Sequence, residues 1–420
     1  MVSRAAQRNG RGLIDERRAR LGSVSAWALA SVLVGLFFAL LRTVVIARVL
    51  DPIEIGLMGI ALLALGTLEA VTNSGVDTAL VARRTDVEPY LDPTFTIQVA
   101  RGLLLFALLW VLAPLLARAF HSDAAVSVIR SVAAIAVLRG IANPAAVYAV
   151  RELDFRRVFW WSLPEVVASF CLTVAFAVVR RDVWALVIGS VGGQLVGSAA
   201  SYGLVPRRPR VVLHRARMRS LLQFGKFVSG SRALMYLSVN LDSAVVGMSM
   251  GTHALGLYQF AVRVAELPVV TFTRALAQVA LPTLSGLHTS AAALRQAWWM
   301  LVRWVLTTSV IVALAIVLFG AASVRVLVGE RWLDSVPAMR ILAVAMLFRA
   351  MIVLTGQLLD AVGRPAETLR LNAVRFAALL VVLPPLAAWD GLRGAAQAVL
   401  LANAGAAILA VRMSWRACAD

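Results

Sequence analysis

Cysteine is nearly absent from this chain. Its 420 residues hold two, Cys171 in an apolar segment and Cys418 in the tail, so neither a disulfide framework nor a zinc site follows. Histidine is also scarce. His121, His214, His253 and His288 are scattered near segment ends without ligand spacing, which argues against a metal centre. Long polar loops are missing as well. The longest, 206–220, is too short for an extramembrane domain, and many enzyme architectures are excluded with it. Acidic residues are few: 22 Asp and Glu stand against 41 Lys and Arg, a net charge of +19.

What the chain does have is hydrophobicity. It is 60% apolar with a mean hydropathy of +0.83, where soluble proteins sit at about 45–50%. The excess comes in runs of roughly 20 residues or more, each long enough to cross a bilayer. The expectation is an all-α polytopic membrane protein of about twelve spans, at 23–47, 55–81, 95–117, 125–149, 158–179, 183–205, 221–249, 254–283, 297–321, 335–361, 368–388 and 391–413. This divides the chain into a basic tail (1–22), a six-helix lobe (23–205), a basic linker (206–220), a second six-helix lobe (221–413) and a short tail (414–420). The apolar run after Leu21 is too long for a signal peptide and counts as the first span.

The positive charge is concentrated in alternate loops. Six arginines from Arg4 to Arg20 share a side with Arg83, Arg84, Arg151, Arg156, Arg157, the 207–219 cluster, Arg295, Arg364, Arg370, Arg412 and Arg416. The opposite loops hold only Arg48, Arg118, Arg180, Arg181, Arg325, Arg331 and Arg393. By the positive-inside rule both termini are expected in the cytoplasm. That pattern accounts for the +19 better than nucleic-acid binding does. Trp160, Trp161, Trp184, Trp298, Trp299, Trp332 and Trp389 fall near span ends, as an interfacial aromatic belt would.

The halves echo each other. Ile55-Gly56-Leu57-Met58 matches Leu255-Gly256-Leu257-Tyr258, and each piece joins the first and second helices of its half. An even helix count per half makes this a parallel repeat about an axis along the membrane normal. Such architectures place a path between the halves and work by rocking.

Several spans carry charge. The stretch LYQFAVRVAELPVVTFTRALAQVALPTL (257–284) holds Arg263, Glu266 and Arg274, with Pro268 among them. A mid-membrane charge costs about 2.5–3.5 kcal/mol, so these groups must face protein or water. Arg263 and Glu266, three apart, share a face and are expected to neutralise each other in part. Pro268 is expected to kink the helix. Glu69, Asn73 and Asp77 form one face of the second span. Arg232, Asn240 and Asp242 lie in the seventh, Arg139 and Asn143 in the fourth, Arg349 in the tenth and Arg375 in the eleventh. Arg42, Arg101, Arg130, Arg303 and Arg340 stand near span ends, where snorkelling to headgroups explains them. Asn73, Gln194, Asn372 and Asn403 suit interhelical hydrogen bonds, and the Gly-rich stretch 188–203 suits close helix packing.

The candidate cavity arginines are therefore Arg139, Arg232, Arg263, Arg274 and Arg349, with Glu69, Asn73 and Asn240 as polar lining. They lack obvious one-to-one acid partners. Guanidinium binds phosphate and carboxylate bidentately and keeps its charge when desolvated. The cargo such a cavity suits is anionic and amphipathic, with its head in a wet cationic space and its tail in lipid.

Residues 224–268 resemble the polysaccharide-transporter branch of the multidrug/oligosaccharidyl-lipid/polysaccharide flippase superfamily. The marks are Phe224-Gly225, Ser231-Arg232, Asn240-Leu241-Asp242, Leu255-Gly256-Leu257-Tyr258, Ala261, Leu267-Pro268 and Pro282. In the first half, residues 47–61, Asn73 and Ala79-Leu80 agree, and Phe155-Arg156 and Gly329-Glu330-Arg331-Trp332 resemble later landmarks. The resemblance implies two six-helix lobes in a V, lined by the first two helices of each half. It implies translocation of an undecaprenyl-pyrophosphate-linked oligosaccharide across the bacterial plasma membrane for polysaccharide export, alongside the expectation from loop length and histidine spacing of no catalysis and no metal. Some members it resembles couple to Na+ or H+, and Asp77, Asp242 and Glu266 are the acids in these spans that could take such a cation. Membrane lipids and a polysaccharide polymerase or export machinery are the implied partners. Two alternatives stand beside it. A small-cation exporter of the same superfamily would favour an acidic cavity. A membrane-embedded glycosyltransferase or polymerase would need a general acid or base near the interface, often in a sizeable outer loop.

Overall fold

A computed structural model of the chain describes residues 27, 30–82, 87–152, 154–204, 207–287 and 291–419. The 1–22 tail, with Arg83 and Arg84, lies outside the described residues. Among those residues the chain is helical, with no strand. The first half contains α1 (Ala30–Val49), α2 (Pro52–Val71), α3 (Val76–Ala82), α4 (Glu88–Ala119), α5 (Ala125–Val132), α6 (Ala134–Gly140), α7 (Val147–Arg151), α8 (Phe155–Arg180) and α9 (Val183–Leu204). The second half contains α10 (Arg215–Leu287), α11 (Ala291–Leu327), α12 (Val336–Ala361) and α13 (Pro365–Ala419).

Nine of the described helical stretches are long and apolar enough to cross a membrane. Two helices are too long for one crossing, and each is broken. In α10 the backbone leaves helical dihedrals at Gly251 (φ 82°), and in α13 at Asp390 and Gly391 (φ 56°). Both glycines adopt positive φ, which costs a residue without Cβ little. Helical dihedrals continue through Pro268, so the helix is not broken there. The fourth expected span, 125–149, is not a single helix. Asn143 accepts a hydrogen bond from the Ala145 amide and opens a short 3-10 turn at Pro144–Ala146. Pro144 has no amide hydrogen with which to continue the preceding helix. The expected twelve spans are therefore not twelve unbroken helices.

The repeat is visible as a reciprocal contact. A methyl group added at Gly56 would land on the Thr252 carbonyl, and one added at Gly256 would land on the Pro52 carbonyl. These pairs differ by the same offset of 200. Each half thus presents to the other the same glycine and the same first-turn carbonyl, as a two-fold contact requires. Glycine permits this close backbone approach between α2 and the second limb of α10.

At the end of the bundle bearing these turns, the hairpin end, further contacts join the halves. The Trp332 Nε1 donates to the Ala47 carbonyl at 2.7 Å, and the ring, fully buried, packs 4.7 Å from Phe260. Arg48 donates to the Val326 and Leu327 carbonyls at 3.1 and 3.0 Å. Arg331 pairs with Asp51 at 2.5 Å. Trp332 and Trp298 are core residues rather than members of an interfacial belt, while Trp160, Trp299 and Trp389 are exposed. One apolar core runs through both halves, from Ile46 to Ala417.

At the opposite, linker end, the extended stretch 207–214 is tied to α4. Arg207 pairs with Glu88 and Asp92, the Arg210 amide donates to Asp92 at 3.1 Å, and the Val212 amide donates to Thr96 Oγ1 at 2.9 Å. Met218 and Leu221 at the start of α10 pack into a second apolar cluster with Val76, Leu80 and Leu91. The Gly-rich face of α9 packs closely on α8, as its composition suggests. Gly189, Gly193 and Gly197, four residues apart, meet Thr173, Ser169 and Glu165.

Candidate functional site

Two polar cavities lie along α2, and their charge balance differs. The first, about 90 Å3, is bounded by Arg42 and Ile46 of α1, Met58 and Leu62 of α2, Ser190 of α9, and Phe260 and Arg263 of α10. It therefore lies between the halves. By volume it admits a few water-sized groups. Arg42 Nη1 donates to Ser169 Oγ at 3.1 Å and Nη2 to Ser190 Oγ at 3.3 Å, while its buried Nε has no partner among the described residues. Arg263 is exposed into the cavity and has neither an ion pair nor a hydrogen bond among the described residues. The two guanidiniums lie within electrostatic range of each other. Among the described lining residues these two like charges meet only apolar side chains and the hydroxyls of Thr43 and Ser190, an arrangement whose charge suits an anion.

Arg263 and Glu266 do not neutralise each other, contrary to their spacing. Glu266 pairs instead with Arg349 of α12 at 3.0 Å, and both side chains are largely buried. A second guanidinium brought by tertiary packing takes the carboxylate and leaves Arg263 free. Arg42 does not snorkel either; packing of α1 against α8 and α9 turns it to their serine hydroxyls and the cavity.

The second cavity, about 400 Å3, lies mostly in the first half, among α2, α3, α4 and α6. Glu69, Asn73, Asp77, Gln98, Arg101 and Arg139 line it, and Tyr236 of α10 closes it from the other half. Arg139 Nη1 donates to both Glu69 oxygens, at 2.8 and 2.7 Å, and its Nε donates to Gln194 at 3.0 Å. Arg101 donates to the Glu69 carbonyl at 2.7 Å, so it too faces the cavity rather than the headgroups. Gln98 Nε2 donates to Asp77 at 2.7 Å, and Asn73 Oδ1 accepts from the Gly75 amide at 2.8 Å.

Arg139 and Arg349 thus each have a carboxylate, which corrects the expectation that the cavity arginines lack acid partners. The two ion pairs join corresponding elements of the two halves, though not positions at the 200-residue offset. Each joins the second helix of a half to the fourth or its counterpart: α2 to α6 in one, the second limb of α10 to α12 in the other. Deeper in the second half, buried Asp242 accepts from Tyr258 at 2.9 Å and from the Ser243 amide at 2.8 Å. Buried Arg375 donates to Asn403 at 2.7 Å, and Asn403 donates to the Ala345 carbonyl. Asn240 spends its amide on the Tyr236 carbonyl of its own helix and lines neither cavity. The side chains of Arg232 and Arg274 lie outside the described residues.

Sequence reasoning missed Arg42, Arg101, Gln98 and Tyr236 as lining residues. Nothing in their spacing marks them; Gln98 and Tyr236 sit singly in otherwise ordinary spans.

Comparison with known proteins agrees with this architecture. The chain is 25% identical over 299 residues to the teichuronic acid biosynthesis protein TuaB of Bacillus subtilis, covering 70% of this chain and 62% of that protein's length. It is 21% identical over 359 residues to the lipopolysaccharide biosynthesis protein WzxC of Escherichia coli, covering 84% of this chain and 72% of that one. Among solved structures, the lipid II flippase MurJ in an inward closed conformation superposes with a TM-score of 0.77 at 14% identity, over 92% of this chain and 86% of that one. That likeness is one of fold. A family described as "Polysaccharide biosynthesis protein" matches residues 45–337, and the chain is a member of that family.

Proposed function

We propose that the protein is a flippase, moving an undecaprenyl-pyrophosphate-linked oligosaccharide across the bacterial plasma membrane by alternating access. One observation carries the reading: Arg42 and Arg263 share a cavity between the halves, and among the described residues no carboxylate touches either. A pyrophosphate supplies the charge this pair lacks. A small organic cation would be repelled by it.

With both termini cytoplasmic, the hairpin end faces outward. The reciprocal glycine contact and Trp332 then close the outer side, and cargo enters from the cytoplasmic leaflet. Rocking the halves about that crossing opens the outer side and delivers the oligosaccharide to polymerase and export machinery. A Na+ or H+ gradient drives the cycle through one of Asp77, Asp242 or Glu266. Each of these is hydrogen-bonded or ion-paired in the closed-hairpin state, so the cation competes with those partners.

The test is genetic. Cells lacking the gene should accumulate lipid-linked oligosaccharide on the cytoplasmic leaflet. Wild-type protein should clear it, and Arg263→Ala at normal protein level should not. Full surface polymer in the Arg263→Ala strain would refute the assignment.

A further inference from the structure

The second cavity has a different chemistry from the first and lies beside it. Leu62 lines one and Gly66 the other. Four residues apart on α2, they share a face one turn on, about 6 Å along the axis. For a group joined to an anion held at Arg42 and Arg263, the second cavity is the neighbouring polar space along α2, with Tyr236 beside both, its hydroxyl donating to the Leu62 carbonyl at 3.5 Å.

In that cavity the charges cancel. Glu69 and Asp77 face Arg101 and Arg139, and both arginines are already engaged, so a second anion gains little there. What remains is hydrogen-bonding capacity in both senses. Among the described residues the carboxylates keep free acceptor positions, Asn73 keeps its amide donors, and Gln98 Oε1 is buried with no partner. An unsatisfied acceptor beside a polar cavity needs a donor to offset its desolvation. A hydroxyl both donates and accepts. A volume of about 400 Å3 falls in the range of small-ligand sites. Tyr236 completes the wall from the other half, so occupancy of this cavity depends on how the halves are set.

We infer that this cavity is a sugar subsite, taking the uncharged, hydroxyl-rich monosaccharide attached directly to the pyrophosphate. The inference rests on the reading that Arg42 and Arg263 hold that pyrophosphate. Anchor and selector are then separate: the arginine pair binds any carrier, and the Gln98–Tyr236 cavity distinguishes a sugar-bearing carrier from a bare one.

The experiment measures binding of undecaprenyl pyrophosphate to the full-length purified protein. The carrier is used bare and bearing one glucose, galactose or N-acetylglucosamine. The wild type should prefer at least one sugar-bearing form over the bare carrier by about tenfold, the scale of one or two well-placed hydrogen bonds. Gln98→Leu and, separately, Tyr236→Leu should bring that ratio towards one. No preference for any of the three sugars in the wild type, or an unchanged ratio in both variants, would overturn the subsite. Arg263→Gln isolates the underlying reading. If it binds the bare carrier as tightly as wild type, the pyrophosphate assignment fails whatever the sugar ratios are.

Discussion

Arg263 lines the same cavity as Arg42, from the opposite half of the chain, and among the described residues neither guanidinium touches a carboxylate. Other membrane arginines here end on acids or carbonyls: Arg139 on Glu69, Arg349 on Glu266, Arg101 on the Glu69 carbonyl. Burying an unpaired charge is costly. The proposed function assigns these two guanidiniums to the charged head of a ligand.

The glycine crossing should behave as one unit. Gly56→Ala and Gly256→Ala each force a methyl group onto a backbone carbonyl, at a cost of about 1–3 kcal/mol. Either one splays α2 from α10 at the same point. The double variant should therefore lose less thermal stability than the sum of the singles. Full additivity in detergent melting curves would show that the two contacts are independent.

The two intramembrane ion pairs, one in each half, should differ in strength. In the second-half pair, Arg349 and Glu266 are 14% and 22% exposed; in the first-half pair, Arg139 and Glu69 are 52% and 22% exposed. Removing one partner of the more buried pair strands a charge at a cost of about 3–5 kcal/mol. A double-mutant cycle should thus give larger coupling for Glu266–Arg349 than for Glu69–Arg139. Equal couplings would mean that solvent reaches both pairs alike.

Closure of the hairpin end should depend on Trp332 rather than on the ion pair beside it. Arg331 and Asp51 are 46% and 66% exposed, and exposed pairs contribute about 0–1 kcal/mol. Trp332 is fully buried, and its loss should cost about 3–5 kcal/mol. Trp332→Ala should raise thiol labelling of a cysteine placed at Ala47, while Asp51→Asn should leave it near wild type. The reverse order would place the seal in the ion pair.

Much of this was legible in the sequence, because it depends on local pattern. Apolar run length gave the spans, and the 200-residue offset between Gly56 and Gly256 marked the two halves. The crossing itself needed coordinates, yet its glycines were already at matched positions. What could not be read was pairing across distance. Glu69 and Arg139 lie seventy residues apart, and no periodicity links them. Arg263 and Glu266 have the spacing of a helical ion pair, but Arg349 intervenes through packing alone. Arg42 sits where arginines usually snorkel, and only the placement of α8 and α9 turns it inward. The break in the fourth span did have a local signal, Asn143-Pro144, a dipeptide that favours turns.

The most direct measurement compares affinity for undecaprenyl pyrophosphate with affinity for undecaprenol, which keeps the tail and lacks the charge, in wild type, Arg42→Gln and Arg263→Gln. Wild type should favour the pyrophosphate strongly, and each variant should lose about tenfold or more of that preference with undecaprenol binding unchanged. An undiminished preference in both variants would contradict the account.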